Sequence, residues 1–482
     1  MIDQELYSLI EKVVSFQAEF QNIEVKAAHE GCPPRLYDTL SAFSNQDSGG
    51  VILFGLDERK NFEAVGVYDV HDLQKRVNEQ CKQMVPLVRP IFTVVDYQGH
   101  PVVSAEIPSV DIGERPCYYS GVGRIRGSYV RAGDSDEPMS EYEIYSYEAY
   151  RKKYQDDIRL NDQCSFKSID QNLFQAYVEK VISQKPNLAR LPKEEIWELL
   201  NLVKERTPTL TCILLFSLYP QIFYPQYTIN AMLIPGNERG DALTDGTRFL
   251  ANRRIEGTIP EMLQETMVFL EKHMDIRTVI RPETGERADQ TEYPVTALRE
   301  AVLNALIHRD YSCHTESMPI EILMFYNRIE IRSPGGLYGR VRLEQLGRMQ
   351  PDTRNPVLAR AMETLGYTEN RYSGIPTIRR VLKEAGMPEP VFQNLRNQFC
   401  VIFYKKQVEP EISVPTPERD LLEFCRTPRS RKEIADYLGI KTVFYASKTY
   451  IEPLLKTGAL SMTKPEKPRS KDQKYYTSLH HK

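Results

Sequence analysis

Glu19, Glu24 and Asp57, with Lys26 beside Glu24, are the residues of this chain best suited by type to phosphoryl chemistry. Hard divalent cations take oxygen ligands, and sites that act on phosphodiesters commonly combine a few carboxylates with the phosphate oxygens of the substrate. The expected catalytic set is Glu19, Glu24, Lys26 and Asp57, gathered at one sheet edge. Glu19, Glu24 and Asp57 would hold Mg²⁺ or Mn²⁺, and Lys26 would neutralise the scissile phosphate. The same spacing also suits a surface ion pair and a turn aspartate.

A second set lies at Glu300, Asn304 and His308. Steps of four align these groups along one helix face, with Leu298, Ala301, Val302 and Ala305 on the other. In a nucleotide pocket the Asn would hold magnesium and the Glu would orient a water. Ser333, Gly335, Gly336, Ser373 and Gly374 complete the expected cofactor-binding residues, because phosphates are cradled where backbone can approach closely. A third set, Arg124, Arg126 and Arg131 with Tyr129 between them, could offer guanidinium groups and an aromatic face to a phosphate backbone.

The elements that must position these residues follow from periodicity. Ile23-Glu24-Val25-Lys26 alternates and predicts a half-buried strand. Leu36, Leu40 and Phe43 recur at helical spacing after Pro33-Pro34, and the glycine-bounded run Val51–Gly55 is a buried strand. Pro101–Ile107, after the Gln98-Gly99-His100 turn, and Arg124–Arg131 read as further strands. The tyrosine-rich stretch Tyr142–Tyr154 reads as an amphipathic connecting helix. Between 165 and 290 the pattern predicts a helix over Lys193–Val203, strands over Leu210–Phe216 and Ile229–Ile234, and a helix over Pro260–Met274. From Tyr293 to Tyr404 a strong helix precedes a hairpin, Ile320–Met324 with Ile329–Ile331, turning at Asn327-Arg328.

Past Lys405–Pro417, a linker by its prolines and charges, a small third module shows three helical patterns and a basic end. Arg431–Leu438 is a helix closed by Gly439, Thr442–Lys456 is a longer one that Pro453 should kink, and two short strands follow Gly458. This module resembles a winged helix, whose third helix would enter a major groove. Lys441, Thr442, Tyr445 and Lys448 would form the reading face, and Arg469, Lys471 and Lys474 would line the wing.

Net charge is −4 over 482 residues, so any surface for a polyanion must be a local patch. Eight cysteines without a Cys-x-x-Cys pair read as reduced thiols. Met1–Glu5 lacks the positive flank of a secretory signal, and no apolar run approaches the ~20 residues that span a bilayer. The expectation is a cytoplasmic protein without a membrane segment. The length implies several modules. The absence of a Gly-x4-Gly-Lys-Ser/Thr loop argues against a helicase motor.

Glu19-x4-Glu24-Val25-Lys26, Ala42-Phe43-Ser44-Asn45, Gly49–Gly55, Asp57 and Tyr129-Val130-Arg131-Ala132-Gly133 together resemble the Schlafen-type AlbA domain over residues 15–135. That resemblance implies nucleic-acid binding. In some members it implies metal-dependent cleavage of structured RNA by residues at the places of Glu19, Glu24 and Asp57. Bacterial relatives with the motif are regarded as transcriptional regulators.

The segment from Phe166 to Tyr404 resembles the divergent GHKL-type ATPase module of helicase C-terminal regions. It does so through Glu300-x3-Asn304-x3-His308, Asn327–Gly336, Arg354-Asn355-Pro356, Gly366–Asn370 and Ser373-Gly374-Ile375. It departs from that family at Ser333, where an adenine-reading aspartate is usual, and at Tyr372, where a glycine is expected.

The chain is thus expected to be a multidomain α/β and α+β protein: a Schlafen-type AlbA domain (1–155), a joining α/β segment (156–290), a GHKL-like α/β sandwich (291–405), a linker (406–416) and a winged helix (417–482). The functional expectation is a nucleic-acid-binding transcriptional regulator, with DNA as partner, ATP as the nucleotide it senses and a homo-oligomeric state. A metal-dependent endoribonuclease acting on RNA is the second reading, and an oligomeric interaction scaffold the third.

Overall fold

A computed structural model describes the chain apart from residues 281–286, 369–372, 407–416, 439–442, 457–458, 467–469, 471–472 and 478–482. It divides into two compact units, Met1–Lys406 and Gln407–Lys482. The expected linker, save Lys406, lies outside the described residues.

The first unit opens with α1 (Asp3–Phe16), β1 (Ile23–Lys26), α2 (Tyr37–Asn45), β2 (Gly50–Phe54), β3 (Leu56–Asp57), β4 (Glu63–Ala64) and α3 (Val70–Cys81). Next come β5 (Met84–Val85), β6 (Ile91–Tyr97), β7 (His100–Ile107), β8 (Tyr118–Tyr119), α4 (Gly123–Gly127), β9 (Tyr129–Ala132), β10 (Ser135–Pro138) and α5 (Glu141–Lys152). A four-stranded sheet in the order β1-β2-β7-β6 sits at its centre. β1 runs parallel to β2, and the other pairs are antiparallel. Strand alternation sends Leu53 and Val102 toward α1, and Ile52, Phe54, Val103, Ala105 and Ile107 toward α2 and α3. The sheet is therefore covered on both faces. Hence β1 is not half-buried as its alternation suggested: Glu24 is buried along with Ile23 and Val25. Gly50 is needed for closeness, since a Cβ there would lie 2.3 Å from the Phe43 ring.

The rest of the unit contains α6 (Gln171–Gln184), α7 (Lys193–Leu199), β11 (Val203–Lys204), β12 (Thr207–Pro208), α8 (Leu210–Phe216), β13 (Ile229–Leu233), β14 (Ala251–Ile255) and α9 (Ile259–His273). These are followed by β15 (Ile276–Ile280), β16 (Arg287–Thr291), α10 (Val295–Ile307), β17 (Ile320–Met324), β18 (Arg328–Pro334), α11 (Pro356–Leu365), α12 (Gly374–Glu384), β19 (Val391–Asn394) and β20 (Gln398–Tyr404). A six-stranded mixed sheet, β14-β13-β17-β18-β20-β19, carries this part. Because β13 and β14 belong to it, the segment before residue 290 and the one after it share one sheet and one hydrophobic core. The boundary expected at 290 does not divide the structure.

Two expected strands differ: one is helical throughout and one in its first half. Leu210–Phe216 forms α8, every residue of it buried, with Thr209 Oγ1 accepting the Cys212 N–H at its start. A run that is apolar at every position fits a fully enclosed helix as well as a strand, and periodicity cannot separate the two. Arg124–Arg131 is broken into α4 and β9, and Ser128 Oγ closes the break by donating to the Arg124 carbonyl at 2.7 Å. The helix expected over Lys193–Val203 stops at Leu199, and Asn201 then takes the left-handed conformation with φ 54°.

The second unit comprises α13 (Pro417–Phe424), β21 (Arg429–Ser430), α14 (Arg431–Tyr437), α15 (Val443–Ala446), α16 (Glu452–Lys456), β22 (Leu460–Met462) and β23 (Lys474–Thr477). Its antiparallel sheet has the order β21-β23-β22. Leu421, Ile434, Ile451, Leu460 and Tyr475 are among its core residues. Between α15 and α16 the backbone winds as a π turn over Ser447–Ile451, just ahead of Pro453, which has no N–H to continue the ladder.

One long-range contact ties the start of the second part to its far end. Asp157, wholly buried, accepts the N–H groups of Val357 (2.8 Å) and Leu358 (3.1 Å) in the first turn of α11. Burial pushes its carboxyl up to about 6, against those two backbone donors, which favour the carboxylate. Asp157→Ala should strand both donors and cost on the order of 1–3 kcal/mol. The check is urea unfolding followed by the fluorescence of Trp197, the chain's single tryptophan. An unshifted midpoint would count against this cap.

Candidate functional site

The loop after α1 and the edge strand β1 bring Glu19 and Glu24 together, but not around a cation-sized gap. Arg131, from β9, lies between them: its Nη1 is 2.8 Å from Glu24 Oε2 and 2.9 Å from Asp136 Oδ1, and its Nη2 is 3.5 Å from Glu19 Oε2. Lys26 pairs with the other oxygen of Glu24, and Glu19 Oε1 accepts the Val25 N–H at 2.7 Å. Burial, then the neighbouring Glu24, pushes the Glu19 carboxyl up to about 7. Asp57 stands apart in function, accepting the Arg59 N–H at 3.1 Å as the cap of a 3-10 turn.

A divalent cation held by Glu19, Glu24 and Asp57 does not fit this arrangement. A guanidinium already fills the space between the two glutamates. Among the described residues no three acidic, His or Cys side chains gather as a metal-holding group. Metal-assisted cleavage does not follow from this geometry.

Polar residues at the end of α2 hold the Arg131 strand in place. Asn45 Nδ2 donates to the carbonyls of Cys117 (2.9 Å) and Tyr129 (3.1 Å), its Oδ1 accepts the Cys117 N–H (2.7 Å), and Ser41 Oγ accepts the Tyr129 N–H (2.8 Å). The expected basic surface is correspondingly reduced. Arg131 is buried and serves the interior, Arg124 pairs with Glu148 of α5, and the Tyr129 hydroxyl accepts from Arg35 at 3.3 Å. Arg126 is exposed.

The second set converges. Glu300, Asn304, His308, Ser333, Gly335, Gly336, Ser373 and Gly374 all line one cavity of ≈ 650 Å³. Its floor is α10, whose apolar face is buried, and the end of β18 and the start of α12 form its walls. Asn304 Nδ2 donates to Glu300 Oε1 at 3.3 Å, and Ser333 Oγ to the Ala305 carbonyl at 2.9 Å. A Cβ at Gly374 would lie 2.3 Å from Glu300 Oε1 and 3.0 Å from Asn304 Nδ2, so a larger residue there would push these two side chains aside. His308 borders the cavity and is exposed to solvent. Loss of solvation, then Arg354, hold it down to about 4, so it is neutral at pH 7. The cavity has the size of a small-molecule site. Tyr372 lies outside the described residues, as do Glu369 and Asn370.

Sequence reasoning missed the pair that braces this cavity. Asp310 and Arg354 form a buried ion pair, the Tyr142 hydroxyl donates to Asp310 at 2.8 Å, and Arg354 Nη2 donates to the Gly336 carbonyl at 3.2 Å. Burial would raise Asp310, but Arg354 brings its carboxyl below the ordinary value. Position gave a faint signal, since Asp310 follows His308 closely and Arg354 opens the noted Arg-Asn-Pro run. In the second unit, Lys474 is exposed on β23. Lys441, Thr442, Arg469 and Lys471 lie outside the described residues, and only the helical backbone is described at Tyr445 and Lys448.

Comparison with known proteins agrees with this layout. Residues 19–140 match the family described as Schlafen, AlbA_2, and residues 317–403 the family described as Putative ATP-dependent DNA helicase recG C-terminal. The chain therefore carries an AlbA_2 domain and an ATPase-like domain in a multidomain α/β fold. The second match takes in Ser333, Gly335, Gly336, Ser373 and Gly374 and begins after the helix of Glu300, Asn304 and His308. Residues 419–478 match the C-terminal domain of the Fic-like protein (filamentation induced by cAMP).

Among solved structures, the DIP2311 protein from Corynebacterium diphtheriae is similar at 18% identity and TM-score 0.40, with 98% of this chain and 97% of that one covered. The N-terminal domain of the putative ATP-dependent DNA helicase RecG-related protein from Nitrosomonas europaea is similar at 26% identity and TM-score 0.23, with 28% of this chain and 92% of that one covered. No curated protein matches the chain.

Two outcomes follow for the acidic cluster. Arg131→Met, which leaves buried carboxylates without their counter-charge, should destabilise the first unit by roughly 3–5 kcal/mol in urea unfolding. A loss well under 1 kcal/mol would refute the role given to Arg131. Glu19 binds its proton more tightly folded (about 7) than at its ordinary value of 4.5, so stability is greatest below that value and falls as pH rises toward 7. Glu19→Gln should remove this slope, which melting curves of both proteins from pH 4 to 8 would reveal. Parallel pH profiles would exclude it.

Proposed function

We propose that this protein is a nucleic-acid-binding transcriptional regulator whose ATPase-like domain binds ATP. The observation that carries the reading is convergence: the residues expected to hold a nucleotide come from α10, β18 and α12 and line the same cavity. They share a compact unit with a domain of a nucleic-acid-associated family.

In this reading Glu300 and Asn304 lie at the phosphates, with Asn304 holding the magnesium that accompanies ATP. Gly374 lets the start of α12 approach them, and Ser333 lies at the base. Neutral His308 can donate or accept a hydrogen bond without adding charge. Nucleic acid would be met by local cations such as Arg126, because Arg124 and Arg131 are already paired within the protein. The second unit, with three helical segments and an antiparallel sheet, has the parts of a winged helix and would supply DNA contact through α15, α16 and Lys474. Homo-oligomers are the common state of such regulators.

Duplex DNA should be retained by the purified protein at low salt, and its affinity should fall steeply as salt rises, since each neutralised phosphate releases counterions. RNA hairpins tested in parallel decide between the two nucleic acids. Failure to retain any oligonucleotide at low ionic strength would sink the reading. For the cavity, a fluorescent ATP analogue should bind with Mg²⁺ present, and Asn304→Ala should weaken it by at least tenfold while leaving the melting temperature within a few degrees. Equal binding by both proteins would place the nucleotide elsewhere.

A further inference from the structure

The connection from residue 335 to residue 352, between β18 and α11, separates two cavities. On one side is the nucleotide cavity, and on the other a cleft of ≈ 870 Å³ lined by the AlbA_2 domain, α5 and the ATPase-like domain. Gly336, Leu337 and Val341 line both. A connection this long, with a single 3-10 turn at Leu343–Gln345, is uncommon in a compact domain unless it has work to do.

Its two faces are held differently. Toward the nucleotide cavity, the Gly336 carbonyl accepts from Arg354, the Tyr338 ring lies 4.9 Å from the Arg354 guanidinium, and the Arg340 N–H donates to Asp352 at 2.9 Å. Toward the cleft the Leu337 N–H donates to Asn394 Oδ1 at 2.8 Å, and ion pairs reach the AlbA_2 domain. Arg342 Nε is 3.4 Å from Asp47 Oδ2, and Arg115 is 2.9 Å from Asp47 Oδ1. Arg396, between β19 and β20, pairs with Glu137 of β10 and approaches Glu143 of α5 at 3.8 Å.

The side chains of Arg342, Asp47, Arg396 and Glu137 remain 48, 49, 53 and 45% exposed. Exposed pairs of this kind are weak and screened by salt, so they can open at small cost. The carboxylates come from the AlbA_2 part and α5, and the arginines from the ATPase-like part. This is the arrangement of a reversible contact between two domains.

We propose that the 335–352 connection is a nucleotide-responsive latch that holds the AlbA_2 domain against the ATPase-like domain through Arg342–Asp47, seconded by Arg396. The proposal rests on the reading that the cavity binds a nucleotide. Gly336, Leu337 and Val341 line the cavity and are continuous with Arg342, so a nucleotide packed against them changes the energy of the latch. Coupling of binding free energies is reciprocal: a polyanion on the AlbA_2 domain then changes nucleotide affinity by the factor by which nucleotide changes its own.

Hydrogen exchange on the full chain tests this. Without nucleotide, Arg342→Ala combined with Arg396→Ala should speed exchange over residues 46–48, 109–113 and 336–350 by roughly fivefold. ATP with Mg²⁺ should alter exchange over 46–48 and 109–113 in the wild type and leave it unaltered in the double variant, although a fluorescent ATP analogue binds both. Neither arginine lines the nucleotide cavity, so analogue binding is an independent readout. The latch is overturned if the analogue binds while the AlbA_2 segments ignore ATP, or if the variant responds as the wild type does. If the analogue binds neither protein, the nucleotide reading falls and takes the proposal with it.

Discussion

Asp310 and Arg354 are charges taken almost wholly out of water, and the first unit is organised around keeping them paired. Asp310 is 0% exposed and Arg354 5%. Removing either partner would leave a buried charge uncompensated, a cost of several kcal/mol. The pair is therefore supported from three directions: the Tyr142 hydroxyl from α5, the Ser312 N–H at 2.9 Å, and the Gly336 carbonyl. Since Tyr142 belongs to the helix that leaves the AlbA_2 domain, satisfying Asp310 also sets how that helix meets the nucleotide cavity.

The AlbA_2 domain repeats the logic with the opposite emphasis. There Arg131 touches Glu19, Glu24 and Asp136, with Lys26 also on Glu24, and its ring neighbour is Phe43 at 5.2 Å. Loss of solvation works against its charge, but the bonds and charges of Asp136 and Glu24 together raise its pKa. This explains why an acidic motif need not be a metal site. The charge that would attract a cation has been neutralised by a side chain reaching in from the β9–β10 hairpin. It also explains why a basic strand in the sequence is not a basic strip on the surface.

Much of the helical and strand pattern was legible wherever one face of an element is polar. Glu300, Asn304 and His308 were separable from Leu298, Ala301 and Val302 because α10 has a wet side, and the His100–Ile107 strand was marked by the Gln98-Gly99 turn, whose residues have φ 56° and 83°. Leu210–Phe216 was not legible, because a segment enclosed on all sides carries no periodic contrast. Glu24 misled in the same way: its polarity predicted an open face, yet a carboxylate can be buried where cations and hydrogen bonds offset its lost hydration.

Residue types and local spacing were enough to mark the helix that floors the cavity and the glycines beside it, because these depend on contacts a few residues apart, while the two domain kinds came from the resemblance of whole motif sets to known families. Which charges meet depended on folding. Arg131 reaches Glu24 across 107 positions, and Asp157 reaches Leu358 across 201. No periodicity spans such distances, and a carboxylate's chemistry is set by the cation that burial brings beside it.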